Sequence, residues 1–116
     1  MTDMTDDKKN NYPYHRRYTR YAVRLRIKVS ALEDYDTWTE NLSFDGVCFE
    51  IPEKIKEGQA VEINISLRNK QPNDLIQCSG KIVWTEKLDK GHRHGGQFTS
   101  FKDDDQARLK DYLTKL

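Results

Sequence analysis

The sequence predicts a mainly β domain, an antiparallel barrel or sandwich, that ends in a short α-helix. Three observations carry this. Several stretches alternate apolar and polar residues with period two, the mark of a half-buried strand. The segments between them are rich in Gly, Pro, Asn and Asp, the residues of turns. The last fourteen residues change to a helical period. At 116 residues, the chain has the length of one domain able to bury its own core.

From the N-terminus, residues 1 to 11, "MTDMTDDKKNN", are polar and aperiodic, so a disordered tail without a signal peptide is expected. "YPY" at Tyr12 to Tyr14 opens an extended segment, because the residue before a proline avoids the helical region. "VRLRIKV" turns Val23, Leu25, Ile27 and Val29 one way and Arg24, Arg26 and Lys28 the other. Trp38 lies in a short strand, "TWTEN". "GVCFEI" puts Val47, Phe49 and Ile51 on one face, and "VEINISL" puts Val61, Ile63, Ile65 and Leu67 on one face. "IQCSGKIVW" aligns Ile76, Cys78, Gly80, Ile82 and Trp84, and "GGQFTSF" gives a last strand with Phe98 inward. The connections are "LEDYD", "SFDG", "PEKIKEG", "NKQPND" and "DKGHRHGG". In "DDDQARLKDYLTKL", Leu109, Tyr112, Leu113 and Leu116 form one apolar helical stripe, and an aspartate among Asp103 to Asp105 can cap its first turn. This helix is expected to pack on the sheet or to plug one end of a barrel.

Composition narrows the function. The net charge of +1 implies no bulk attraction to nucleic acid or membrane. Charge is nonetheless uneven: eight Lys or Arg and no acid lie between Lys8 and Lys28. A local basic segment on a neutral chain suggests a site rather than a coat. No apolar run reaches the length of a membrane span. Cys48 and Cys78 have no metal or redox spacing and read as two reduced thiols of a cytosolic protein.

Nothing argues for catalysis, and no catalytic residue is assigned. His92 and His94 in "HRH" lack an acidic or cysteine partner for a metal, so they read as solvated residues of a hairpin loop. No phosphate loop and no nucleophile elbow is present. The chain reads as a binder. "RRYTR" supplies Arg16, Arg17 and Arg20, whose guanidinium groups pair bidentately with phosphate or with the O6/N7 edge of guanine. "ENLSFDGV" supplies Asn41, Ser43 and Gly46. In an extended segment Asn41 and Ser43 emerge on one face, each with hydrogen-bonding groups suited to a purine edge or phosphate oxygen. Gly46 permits a positive φ and a close ligand approach. In an antiparallel sheet the two motifs can lie side by side.

The pair R-x-x-x-R (Arg16, Arg20) and N-x-S-x-x-G (Asn41, Ser43, Gly46) resembles the signature of PilZ domains, and "GKIVWTEK" and "GGQFTSF" are similar to that family's later strands. The resemblance covers about residues 14 to 116. It implies a six-stranded antiparallel β-barrel, about 21–101, with a C-terminal helix at about 103–116, in a single domain from residue 12. It also implies a receptor for cyclic di-GMP without enzymatic activity, cofactor or metal. Arg16, Arg17 and Arg20 would then hold guanine edges and phosphates, Asn41 and Ser43 a guanine, and Gly46 would admit the ligand to the backbone. The sequence departs from the commoner pattern in Asn41, where Asp is frequent, and in Asp45, where many members carry Gly. The expected consequence of binding is ordering of residues 12 to 20 and a signal to an unidentified downstream protein in the cytoplasm. Two other readings stand beside it: a ligand-independent PilZ-type protein-interaction module, and a small barrel binding single-stranded nucleic acid through Tyr12, Tyr14, Tyr18 and Tyr21. The charge balance disfavours the last.

Overall fold

The computed structural model describes residues 18–68 and 74–116. Six antiparallel strands close into a barrel: β1 (Arg26–Ser30), β2 (Asp34–Leu42), β3 (Gly46–Ile51), β4 (Ala60–Ser66), β5 (Leu75–Leu88) and β6 (Gly91–Phe101). Around the barrel they run β1-β2-β3-β6-β5-β4, and β4 returns to pair with β1. One helix, α1 (Asp105–Thr114), comes after β6. The expected tail at 1–11, the "YPY" segment and most of "NKQPND" lie outside the described residues.

The period-two pattern works as physics requires. Ile27, Val29, Val61, Ile63, Ile65, Ile76, Ile82, Val47, Phe49 and Phe98 point inward and form one core with Leu25 and Leu42. Closure leaves no long unpaired edge among these strands. Leu109 and Leu113 of α1 are buried in the same core, so the helix covers the barrel beside β5. Leu116, the last member of the expected stripe, is exposed.

Several boundaries differ from the sequence reading. "LEDYD" is mostly strand: β2 begins at Asp34, and the turn shrinks to residues 31–33. β1 begins at Arg26, because Val23 and Leu25 are tied to the side chain of Thr39 instead of to a ladder: Leu25 N–H donates to Thr39 Oγ1, which donates to the Val23 carbonyl. "HRHGG" is not a loop; it is the first half of β6, and the turn is Asp89–Lys90. His94 is therefore fully buried rather than solvated. It stacks on Phe49 at 5.1 Å, and its Nε2 accepts Ile55 N–H at 2.9 Å. His92 Nδ1 lies 2.9 Å from the Pro52 carbonyl oxygen. Both rings pin the β3–β4 connection to β6. Burial, with His92 beside it, lowers the His94 pKa to about 4 and keeps the ring neutral.

Trp84 also departs from the sequence reading. Register shifts between Ile82 and Trp84, so the indole leaves the inward row and lies outside, opposite Gly95. A Cβ at Gly95 would overlap the indole, so that position requires glycine for close approach. The helix start differs as well. Asp104 occupies the N-cap without a side-chain bond, and Asp105 instead accepts Gln77 N–H of β5 at 2.8 Å while pairing with Arg108 at 2.8 Å. The aspartate staples α1 to the barrel rather than capping it.

Candidate functional site

The two motifs meet on the outer wall formed by β2, β3 and β6. A bulge between Thr39 and Asn41 turns both Glu40 and Asn41 outward, while Thr39 and Leu42 stay buried. Asn41 lies opposite Cys48, and Cys48 opposite Gly95. Arg20 Nη1 donates to Asn41 Oδ1 at 3.3 Å. The arginine thus rests against the wall over the second motif, with a carboxamide beside its guanidinium. Arg16 and Arg17 lie outside the described residues.

Aromatic contacts place Arg20. Tyr21 bridges Leu42 through backbone bonds of 2.7 and 3.0 Å. Tyr18 and Tyr21 pack on Phe44, at 5.6 and 6.2 Å between ring centres, and Phe44 belongs to the turn between Asn41 and Gly46. Phe44 also meets Lys110 of α1, whose Nζ is 5.7 Å from the ring centre. Sequence reasoning missed Phe44. Its signal was an aromatic inside a polar turn.

Ser43 and Gly46 serve the turn itself. Ser43 is 1% exposed. Its hydroxyl donates to Asp45 Oδ1 at 2.7 Å, and Asp45 N–H donates back at 3.3 Å. Its side chain does not stand beside that of Asn41 on an open face. Gly46 has no positive φ; a Cβ there would come 2.6 Å from the Gly96 carbonyl oxygen and 3.9 Å from Arg20 Nη1. Glycine at 46 therefore keeps the wall flat beneath the arginine and lets β3 approach β6.

The electrostatics flank this spot with acid on one side. Arg93 pairs with Glu86 at 2.8 Å, Glu40 at 3.0 Å and Glu50 at 3.5 Å, joining β6 to β2, β3 and β5. Burial and the contact with Glu50 raise the Glu40 pKa against the pull of Arg93. Beneath them, burial first and Glu40 second push the Cys48 thiol up to about 12, opposed by Arg93 and Arg20. Cys78 is likewise held up to about 12 by burial. Both are buried free thiols.

Among the described residues no cluster of three or more metal-ligating side chains occurs. A broad hollow of about 810 Å³, by Glu50 and Lys87 to Lys90, touches no motif residue. A cleft of about 150 Å³ under Tyr18, between Asp45 and Lys110, is smaller than the roughly 300 Å³ at which ligand pockets begin.

Several solved structures share this barrel. Bacillus subtilis inhibitor of motility, MotI/DgrA, superposes with a TM-score of 0.77 at 16% identity, covering 88% of this chain and 51% of that one. The PilZ domain of YcgR from Escherichia coli, solved with c-di-GMP, gives 0.70 at 13% identity over 89% and 92%. The K. pneumonia MrkH–c-di-GMP complex gives 0.70 at 16% identity over 88% and 51%. The chain thus spans about half the length of MotI and MrkH. No curated protein matches it. The PilZ domain profile matches residues 14–115, nearly the whole chain, including both motifs that meet at Arg20 and Asn41; the chain belongs to the PilZ domain family.

Proposed function

We propose that this protein is a non-catalytic receptor for cyclic di-GMP. The observation that carries the reading is the Arg20–Asn41 contact at 3.3 Å, which joins the two motifs over a wall flattened by Gly46. Arg20 presents a planar cation, suited to stacking on guanine or to a forked bond with its O6/N7 edge or with phosphate. Asn41 adds neutral hydrogen-bonding groups. Arg16 and Arg17, a short stretch upstream, complete the cationic set around two phosphates. Ser43 contributes chiefly by shaping the turn, since a direct contact requires its hydroxyl to leave Asp45. The MrkH complex and the YcgR domain, both with c-di-GMP, support the reading through the shared fold.

Binding would tighten the lead-in segment, whose Tyr18 and Arg20 already rest on the wall. Tyr18 and Tyr21 would carry that change to Phe44 and, through Lys110, to α1. The output passes to a separate protein, with the receptor acting in the cytoplasm. Calorimetric titration with cyclic di-GMP, with GTP and cyclic di-AMP as controls, tests this. Saturable heat with cyclic di-GMP alone is expected. A folded sample that gives no heat with any of the three refutes it.

A further inference from the structure

The outer face of the β1–β2 hairpin carries its charge in two blocks. At its base, Arg24 and Arg26 place their guanidinium carbons 5.6 and 5.5 Å from the ring centre of Trp38. Trp38 stays 39% exposed, although indoles are usually well covered. Toward the tip lie Glu33, Asp34 and Asp36, with Leu32 92% exposed in the turn. The register fixes this polarity: Arg26 is opposite Trp38, Lys28 opposite Asp36 and Ser30 opposite Asp34. Lys28 meets Asp34 at 3.6 Å. Among the described residues, Arg24, Arg26, Glu33 and Asp36 have no ion-pair partner.

We propose that this face is a homodimer contact, in which a second copy packs hairpin on hairpin about a two-fold axis that crosses the strands near the Val29–Tyr35 pair. The two-fold reverses direction. It sets the basic base of one copy against the acidic tip of the other, and Trp38 of each against Leu32 of its partner. Charge and apolar surface are matched at both ends at once, and an isologous contact of this kind closes at two copies. Trp and Arg are the residues that most often anchor protein contacts. The three carboxylates of the tip oppose a nucleic acid or an anionic membrane on the same face, and a lone indole offers no run of stacking platforms. The hairpin face covers a few hundred Å² per copy, below the ~800 Å² per partner of a stable interface, so the dimer is weak and reversible. The proposal does not depend on the nucleotide reading.

Sedimentation velocity of the full chain, from low-micromolar to near-millimolar concentration, tests it. The wild type should associate reversibly to a dimer, and Trp38→Ala should weaken that by about tenfold or more. Two charge-reversed variants, Arg24→Glu with Arg26→Glu and Asp34→Lys with Asp36→Lys, should each be monomeric, with circular dichroism confirming the fold. Mixed one to one they should form a heterodimer, because both ends become complementary again. A wild type that stays monomeric throughout overturns the proposal. So does a wild-type dimer that either reversed variant retains, or a mixture that fails to reassociate.

Discussion

Asp45 adds a carboxylate to the turn between Asn41 and Gly46, and it holds the Ser43 hydroxyl at 2.7 Å. Asp45→Asn keeps the shape and an acceptor but removes the charge. On the receptor reading it should tighten cyclic di-GMP binding severalfold by calorimetry; unchanged or weaker binding would show that the carboxylate faces away from the ligand. Arg20→Ala should cost about 1–3 kcal/mol, a tenfold to hundredfold loss of affinity, with the fold intact. Ser43→Ala should cost less, because that hydroxyl already serves the turn. His94 yields a test of stability. Its pKa falls from 6.5 in the unfolded chain to about 4 in the barrel, so the unfolded state binds the proton first as pH drops. The stability it contributes is complete above about 6.5 and is lost as pH falls toward 4, on the order of 3 kcal/mol in all. Urea denaturation of wild type and His94→Gln should show a steeper loss in that window for the wild type. Parallel curves would refute the assignment. Glu40, raised instead of lowered, acts with the opposite sign near the carboxylate range.

At the scale of elements, Asp105 ties α1 to β5 through Gln77 N–H and Arg108. Asp105→Ala leaves the part-buried Gln77 amide without its acceptor and should destabilise the protein by about 1–3 kcal/mol in urea titration. An effect within a few tenths would mean that water replaces the carboxylate. The strands are legible in the sequence because one buried face imposes period two on Ile27 and Val29 or on Val61, Ile63 and Ile65. The bulges are not. One extra residue after Ile82 or Thr39 flips the remainder of the strand, and no local signal marks the slip. Strict alternation therefore puts Trp84 inward and separates Glu40 from Asn41, which the barrel holds on one side. "GHRHGG" misleads for a related reason. Glycines that let Trp84 lie across a strand look, in a sequence, like glycines that make a turn. The meeting of the two motifs is legible as types and spacing, since Arg20 and Asn41 do touch. The burial of Ser43 is not, because it depends on a bond to Asp45 two residues on.

At the scale of the molecule, the barrel closes only when β3 finds β6 and β4 finds β1, pairings far apart in the chain. Such non-local topology folds slowly for its size, on the order of milliseconds to seconds. Stopped-flow refolding should therefore show no microsecond phase that restores the full native signal, and one that did would place barrel closure before the rate-limiting step. The strand order also separates the two tryptophans. Trp84 is 5% exposed against Gly95 on the β5–β6 wall, and Trp38 is open between two cations on β2. Their light should differ accordingly. Trp84 should emit toward the blue and resist iodide, and Trp38 should emit toward the red and be quenched readily. With Trp38→Phe the remaining emission watches the wall beside Cys48 and Asn41, and with Trp84→Phe it watches the hairpin face. The molecule thus carries two built-in lamps, one for each surface.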